Sequence, residues 1–194
     1  MKKEILEKNK KIDRRVHRTR SMLQKSLIQL MNEKEIKDIT VKELSESADI
    51  TRGTFYLHYN DIYDILRSME YELFTEFNEI LNKSFDNNGN RLSPEAILSN
   101  IFFFLERHRD AAKVLMGPHG DIAFVNRLKD LVKDRIYSVL TQNEAVCQYD
   151  YAEAFAVSGC IGVIETWLHH SSPLSPDEMA KICSDMLIRG LDLT

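Results

Sequence analysis

Apolar residues recur at the spacing of a helix face in most segments of the chain. Leu23, Leu27 and Leu30 follow one another at i, i+4 and i+7, and residues 179–187 show a similar spacing near the C-terminus. Four prolines and seven glycines among 194 residues interrupt helices at few places. No segment has a clear strand pattern. We therefore predict an all-α fold of about nine helices.

Short local patterns predict where several helices begin. Residues 40–43, TVKE, have the form of a capping box, in which the threonine hydroxyl and the glutamate carboxylate satisfy backbone N–H groups reciprocally. Ser93-Pro94 and Ser175-Pro176 indicate two further helix starts, and residues 86–90 are expected to form a loop. The fourth helix should begin near Ile62 and continue for about 24 residues, a length that could connect two domains.

Basic residues are concentrated at the start of the chain. Residues 1–59 contain 14 lysines and arginines against 9 acidic residues, a net charge of +5. Residues 60–194 have a net charge of −9, so the overall charge of −4 hides this division. A basic segment attached to an acidic body favours a polyanion as the partner of the basic end.

The sequence lacks the patterns of several other protein classes. Its cysteines, Cys147, Cys160 and Cys183, form no CxxC pair, so we expect neither a metal site nor a disulfide framework. The N-terminus has no apolar signal-peptide core, and no apolar run reaches the roughly 20 residues that span a bilayer. Nucleophile elbows and phosphate-binding loops are absent. We expect a cytoplasmic protein with no membrane partner and no cofactor, and not an enzyme.

Two short predicted helices meet in a turn at residues 46–51, as in a helix-turn-helix. The second helix has the sequence TRGTFYLHY over residues 51–59 and is rich in hydrogen-bond donors. Phe55 would anchor this helix inward. The exposed set would then be Arg52, Gly53, Thr54, Tyr56 and His58. Such side chains bind phosphates and base edges, whereas an ordinary solvent-facing helix more often has Glu and Lys. Gly53 lowers helix propensity, and close approach of a partner to the backbone would compensate.

Residues 18–66 resemble the DNA-binding region of the tetracycline-repressor (TetR-like) family of transcriptional regulators. The matching pattern starts with ITV at residue 39, continues with ADITRGTFYLHY at residues 48–59 and ends with DIL at residue 66. The resemblance implies a basic arm at 1–15, a helix-turn-helix domain at 16–60 and a helical domain for ligand binding and dimerisation at 61–194. The DNA contacts that it implies are Arg18, Thr40, Thr51, Arg52, Gly53, Thr54, Tyr56, His58 and Tyr59.

The resemblance also implies how such a protein would work. A homodimer would bind a palindromic operator in double-stranded DNA, more often as a repressor than as an activator. A small-molecule inducer would release it. Dimers of this kind place two recognition helices about 34–36 Å apart, in successive major grooves. The alternative is a helical protein-interaction module that retains the helix-turn-helix as a scaffold.

The chain departs from the family pattern at three places. Asp49 replaces the usual glycine of the turn, where a left-handed backbone conformation is expected. Lys25 and Ser26 stand where small alanines are common in the first helix. Ile62 stands where the family usually has a lysine that contacts phosphate, so the basic arm is expected to replace that contact.

The C-terminal half contains a segment, residues 151–168, that is apolar or small on nearly every side. Such a helix should be buried all round, either in the core of the domain or in a dimer interface. The family resemblance implies the dimer, and the sequence permits it. The interface candidates are Phe155, Gly159, Gly162, Ile182 and Met186. The candidates for a ligand pocket are Phe103, Met116, Phe124, Phe155, Glu165 and Trp167. Aromatic residues at helical spacing more often belong to an ordinary core than to a pocket.

Overall fold

The computed structural model describes the backbone of residues 2–83, 93–140, 146–171 and 174–190, with side chains for all of these except 2–13, 134–140, 146–150 and 190. Over these residues it contains nine α-helices and no strand, which confirms the predicted all-α fold. The helices are α1 (Lys2–Met31), α2 (Val41–Ser47), α3 (Arg52–Tyr56), α4 (Ile62–Asn82), α5 (Pro94–Arg107), α6 (Arg109–Leu115), α7 (Ile122–Leu140), α8 (Val146–His169) and α9 (Pro176–Gly190). A 3-10 turn lies at Ile36–Asp38, and the loop expected at residues 86–90 lies outside the described residues. Among the described helices, none has the length and apolar character needed to cross a membrane.

The chain consists of two compact units, and the boundary between them lies within α4, between Glu72 and Leu73. The domain boundary predicted after residue 60 concerns the DNA-binding function and stays a prediction. The backbone of residues 2–15, which lie in the predicted basic arm, forms the first half of α1, and the role of this segment as an arm stays a prediction. Helix α4 has 21 residues, close to the expected length.

The first unit depends on an apolar core because two of its helices are very short. Helices α2 and α3 have seven and five residues, too few for stable helices on their own. Leu23 and Leu27 of α1 are completely buried, as their spacing predicted, and so are Leu44 of α2 and Ile65 of α4. Burial of each such side chain contributes about 1.5–3 kcal/mol. This core therefore holds the short helices in place.

The capping-box pattern precedes both α2 and α9, but the two helix starts have different hydrogen bonds. At α2 the Glu43 N–H donates to the Thr40 hydroxyl at 3.2 Å, but the Glu43 carboxylate binds Lys34 Nζ. At α9 the Ser175 N–H donates to Glu178 Oε2 at 2.9 Å, and the Glu178 N–H donates to the Ser175 hydroxyl at 3.4 Å. Hydrogen bonds from the Ser175 hydroxyl and N–H lower the pKa of Glu178. The capping box is thus complete at α9, and the predicted reciprocal half at α2 is wrong.

The turn between α2 and α3 contains a backbone conformation that few residues adopt. Asp49 has a φ of 52°, the only positive φ of a non-glycine residue in the part of the chain that the structure describes. The left-handed conformation expected at this position is therefore confirmed. Aspartate visits this region more readily than most residues, for which it costs about 1–2 kcal/mol. Across the turn, the Ile50 N–H donates to the Ser45 carbonyl at 3.0 Å.

The second unit packs α5 against α9, and α8 against α6 and α7. Aromatic rings occupy its core. The Phe77 and Phe104 ring centres lie 5.7 Å apart, and the Phe102 ring meets Trp167 edge to face at 5.2 Å. The Ser93 hydroxyl caps α5, as predicted. Ring pairs of this geometry contribute about 0.5–1.5 kcal/mol beyond the burial of their area.

Arg109, at the start of α6, closes the C-terminal end of α8. Its guanidinium donates to the carbonyl oxygens of Trp167 at 2.8 Å and Leu168 at 3.2 Å. The same guanidinium lies 4.5 Å from the centre of the Trp167 ring, and the indole N–H donates to the Leu174 carbonyl at 2.8 Å. The last carbonyls of a helix have no partner within it, so this arginine satisfies groups that α8 itself leaves open.

The turn after α6 requires glycine at two positions. A Cβ at Gly117 would lie 2.7 Å from the Lys113 carbonyl oxygen, and a Cβ at Gly120 would lie 2.0 Å from that of Leu115. Real Cβ atoms essentially never approach another atom so closely. Packing within the chain therefore explains both glycines.

Substitutions at Asp49 test the turn. We expect Asp49→Gly to be more stable than Asp49→Ala by about 1 kcal/mol in the free energy of unfolding, because only glycine adopts a positive φ without a steric penalty. Urea unfolding followed by helical circular dichroism measures both variants. Glu46 is exposed within α2 and serves as the control. There we expect Glu46→Ala to be more stable than Glu46→Gly in the free energy of unfolding, because alanine favours a helix. Equal stability of the two Asp49 variants would contradict the left-handed conformation.

Candidate nucleic-acid interface

Helix α3 has one buried side and one exposed side. Phe55 is completely buried, and the Tyr56 ring meets it edge to face at 5.2 Å. On the other side, Arg52, Gly53 and Tyr56 are exposed. The inward anchor and these outward residues lie as the sequence indicated, so α3 presents a surface with hydrogen-bond donors.

Thr51 begins α3 and fixes its first turn. The Thr54 N–H donates to Thr51 Oγ1 at 3.1 Å, and the two threonine hydroxyl oxygens lie 2.9 Å apart. Thr51 is exposed, whereas Thr54 is half-buried. Since only one hydroxyl can donate to the other, one hydroxyl hydrogen of the pair can donate to an acceptor outside the chain.

Tyr59, which the family resemblance placed among the phosphate contacts, lies in the core of the first unit. It is only 5% exposed, its hydroxyl oxygen is buried, and its ring centre lies 6.4 Å from that of Phe55. Burial raises the pKa of this tyrosine. A buried hydroxyl cannot reach a phosphate, so the prediction for Tyr59 is wrong. Its ring instead supports the anchor of α3.

Arg20 of α1 is a cation next to this surface that the sequence analysis did not single out. Its side chain is exposed, and its guanidinium carbon lies 5.7 Å from the centre of the Tyr59 ring. Burial, and then the charge of Arg20, lower the pKa of the neighbouring His58. No local pattern indicates this contact, because it depends on where α1 passes the residues that follow α3.

The other predicted positions of the first unit differ in exposure. Arg18 and Thr40 are exposed, and the Thr40 hydroxyl, which accepts one backbone N–H, still has a hydrogen to donate. Ile62 is buried, so it belongs to the core and offers no replacement for a phosphate-binding lysine. Lys25 is exposed and Ser26 is buried, and the first unit accommodates both.

Gly53 has no packing role among the residues that the structure describes. A Cβ built on it would meet only Thr51 Oγ1, at 3.7 Å, which is an ordinary van der Waals contact. Its backbone does not have a positive φ. Neither space nor conformation therefore requires glycine at this position, in contrast to Gly117 and Gly120.

Comparison with known proteins identifies the family of the chain. A TetR-type family, described as a transcriptional regulator C-terminal region, matches residues 93–189, which is half of the chain. The chain belongs to the TetR-like family of transcriptional regulators.

Individual relatives are similar to this chain in part of the sequence or in the fold. The HTH-type transcriptional regulator YxbF of Bacillus subtilis strain 168 is 42% identical over 64 residues, which are 32% of this chain and 17% of YxbF. A TetR transcriptional regulator from Streptococcus agalactiae 2603V has the same fold, with a TM-score of 0.61 and 22% identity over 90% of this chain and 96% of that one. FadR from Bacillus subtilis, solved with stearoyl-CoA, has a TM-score of 0.63 and 16% identity over 88% and 98% of the two chains.

Helix α8 of this TetR-like regulator is not buried all round by its own chain. A core position therefore does not account for its apolar composition, and the predicted dimer interface stays a prediction. Within the single chain, Tyr151 is 77% exposed and Phe155 is 61% exposed. Gly159 and Gly162 are exposed on the same helix, and a Cβ on either would meet nothing within 4 Å. Neighbouring helices cover only part of α8, so a stripe of aromatic and small residues faces solvent.

An open groove runs along this stripe between α8 and α9. Four of the five predicted interface residues line it, namely Gly159, Gly162, Ile182 and Met186. Its remaining lining is Val163, Thr166, Trp167, His170, Leu174 and Met179. Cys160 of α8 and Cys183 of α9, which are far apart in the sequence, are neighbours in the structure. Interaction with the Cys183 thiol, together with burial, raises the pKa of Cys160.

The residues predicted to line a ligand pocket do not form one enclosed cluster in the single chain. Phe124 and Trp167 are buried, Met116 and Glu165 are half-buried, and Phe103 is 50% exposed. Trp167 packs in the core and borders the groove, whereas Phe155 lies on the exposed stripe. Among the described residues, no group of three or more His, Cys, Asp or Glu could hold a metal ion.

The lowered pKa of His58 predicts how pH affects stability. The His58 imidazole binds a proton more readily in the unfolded chain than in the folded chain. The contribution of neutral His58 to the free energy of unfolding is therefore fully present above the ordinary histidine pKa of about 6.5. It falls as the pH drops from that value through the lower pKa of the folded state. We therefore expect native protein to lose more stability than His58→Gln between about pH 7.5 and pH 5.5. Urea unfolding at the two pH values measures the difference. His17→Gln, exposed on α1, is the control and should behave like native protein. An equal loss in native protein and His58→Gln would contradict the prediction.

Proposed function

We propose that this TetR-like regulator binds double-stranded DNA with α3 in the major groove. We also propose that it does so as a homodimer on a palindromic operator and acts as a repressor. The observation that carries the DNA-binding proposal is Gly53, which is exposed on a donor-rich surface and is not required by the fold.

A glycine within a helix lowers the stability of that helix. Glycine is about 1 kcal/mol less favourable than alanine in a helix interior. At Gly117 and Gly120 the chain's own carbonyl oxygens explain the residue, but at Gly53 a Cβ has room. A surface outside the chain that approaches the α3 backbone closely would explain this glycine. The major groove provides such a surface, because recognition helices enter it with their first residues towards the base edges.

The side chains around Gly53 suit this partner. Arg52 can donate to a guanine edge or a phosphate, and the exposed Tyr56 hydroxyl can donate to a phosphate. Arg18 and Arg20 add exposed positive charge on α1, in a segment with a net charge of +5. Phosphate contacts by Tyr56, Arg18 and Arg20 would strengthen binding to DNA of any sequence. Arg52 would contribute to the choice of base.

The proposed homodimer rests on the exposed stripe of α8. Phe155 and Met186 are 61% and 57% exposed, although large apolar side chains gain about 25 cal/mol for each Å² removed from water. Gly159 and Gly162 leave the helix backbone open to close approach by a second helix. A second copy of the chain, related by a two-fold axis, would cover the stripe on both subunits at once.

A dimer that covers an operator excludes other proteins from that DNA, and repression is proposed for this reason. We further propose that a small molecule bound to the C-terminal unit releases the operator. Because the proposed partner subunit covers the groove between α8 and α9, the place to search is the buried and half-buried part of the predicted lining, namely Met116, Phe124, Glu165 and Trp167. FadR of Bacillus subtilis was solved with stearoyl-CoA, so fatty acyl-CoA is the first class to test for release of bound DNA.

Gly53→Ala tests whether DNA approaches the backbone of α3 closely. We expect the variant to fold with equal stability or with up to about 1 kcal/mol more, because a helix favours alanine and the added Cβ meets no obstacle. We expect its affinity for operator DNA to fall at least about tenfold, since a misfit of about 1.4 kcal/mol at the groove has that effect. Binding sites selected by the native protein from random duplexes, followed by gel-shift titration, measure the change.

The control for this experiment is Asn100→Ala, an exposed position on α5. It should keep both stability and DNA affinity. Native affinity in Gly53→Ala would remove the main support for the proposal. Failure of the native protein to select any duplex would favour the alternative of a protein-interaction module that retains the helix-turn-helix as a scaffold.

Gly159→Leu tests the dimer. The native protein should have twice the chain mass of 22.6 kDa in light scattering, whereas the variant should be monomeric, because the leucine fits the single chain but holds two α8 helices apart. Asn100→Leu adds an exposed leucine elsewhere and should remain dimeric. A native monomer, or a dimeric Gly159→Leu variant, would count against the α8 interface.

A further inference from the structure

Leu57, which directly follows α3, is the most exposed large apolar side chain in the described part of the structure. It is 81% exposed, whereas the neighbouring Phe55 is completely buried. Because Phe55 already anchors α3, the fold of the first unit does not depend on Leu57. A leucine in such a position leaves apolar area in water that a partner could cover.

The backbone places Leu57 on the same face as Gly53. Leu57 has φ −75° and ψ −17°, so it continues the helical geometry of α3 by one residue. Residues four apart on a helix lie on one face, one above the other. Leu57 therefore extends from the face on which the exposed backbone of Gly53 permits close approach. Its neighbours Tyr56 and His58 carry polar groups, so the leucine is an isolated apolar group among hydrogen-bond donors.

We propose that Leu57 is a specificity-determining residue that contacts the C5-methyl group of a thymine in the major groove. This inference rests on the proposed insertion of α3 into that groove. Thymine is the only base that presents a methyl group there, and apolar side chains recognise it by contact. The hydrogen-bond donors of α3 would bind phosphates and polar base edges, whereas a methyl group is recognised by apolar contact, for which Leu57 is the most exposed aliphatic side chain of this segment.

The size of the effect follows from the apolar area of one methyl group. Removing a group of this size from an apolar contact weakens binding about fourfold. A palindromic site has two such contacts, one in each half-site, so loss of both should weaken binding about fifteenfold if the contacts are independent. Leucine-to-alanine substitution should remove the dependence on the methyl group rather than merely lower affinity.

The experiment compares thymine with deoxyuridine, which lacks the C5-methyl group but keeps the same hydrogen-bonding groups. The full-length native protein selects its binding site from random duplexes. Each thymine of the selected half-site is then replaced in turn by deoxyuridine, and gel-shift titration measures affinity for the native protein, Leu57→Ala and Ile122→Ala. Ile122 is 77% exposed at the start of α7 and serves as the matched control. Thermal unfolding verifies that the variants fold.

We expect one thymine in each half-site at which replacement by deoxyuridine lowers the DNA affinity of the native protein and of Ile122→Ala about fourfold. The same replacement should leave the DNA affinity of Leu57→Ala unchanged. The inference is overturned, and the proposed function stands, if the native protein selects a site but deoxyuridine at every position changes the DNA affinity of the native protein and of Leu57→Ala equally. If the native protein selects no sequence at all, the proposed function fails and the inference fails with it.

Discussion

The burial of Phe55 is the constraint on which the candidate interface depends. Helix α3 has only five residues and makes little more than one turn, so it cannot hold its own conformation in water. Once the Phe55 ring is fixed in the core, the helical repeat fixes the direction of every other side chain on α3. Arg52, Gly53 and Tyr56 then face outward together. A single apolar contact thus orients a surface made mainly of polar groups.

Features that depend on a few neighbouring residues could be predicted from the sequence. The caps at Thr51 and Ser93 and the left-handed Asp49 all arise from local backbone preferences, and the structure has each of them. Predictions failed where a distant residue competed. The Glu43 carboxylate binds Lys34, and the Tyr59 ring packs below α3 instead of facing solvent. No pattern within a short segment contains that information.

Surfaces were harder to predict than helices because composition does not tell which side of a helix its neighbours cover. The all-round apolar character of α8 predicted burial either in the core or in a dimer interface, and the exposure of Phe155 in the single chain shows that the core alone does not provide it. Glycine is ambiguous for the same reason. Gly120 is required by a carbonyl oxygen of its own chain, whereas Gly53 and Gly159 have free space around them. Only the coordinates separate glycines that serve the fold from glycines that are available to a partner.

The clamp of Arg109 on Trp167 has a practical consequence. Trp167 is the only tryptophan of the chain, its ring is held by a cation and by the edge of Phe102, and it borders the groove between α8 and α9. Indole emission depends on the polarity and charge around the ring. The molecule therefore contains one intrinsic fluorophore, at a known depth and in a fixed orientation. Its spectrum can report, without any label, on whatever enters the groove or displaces Arg109.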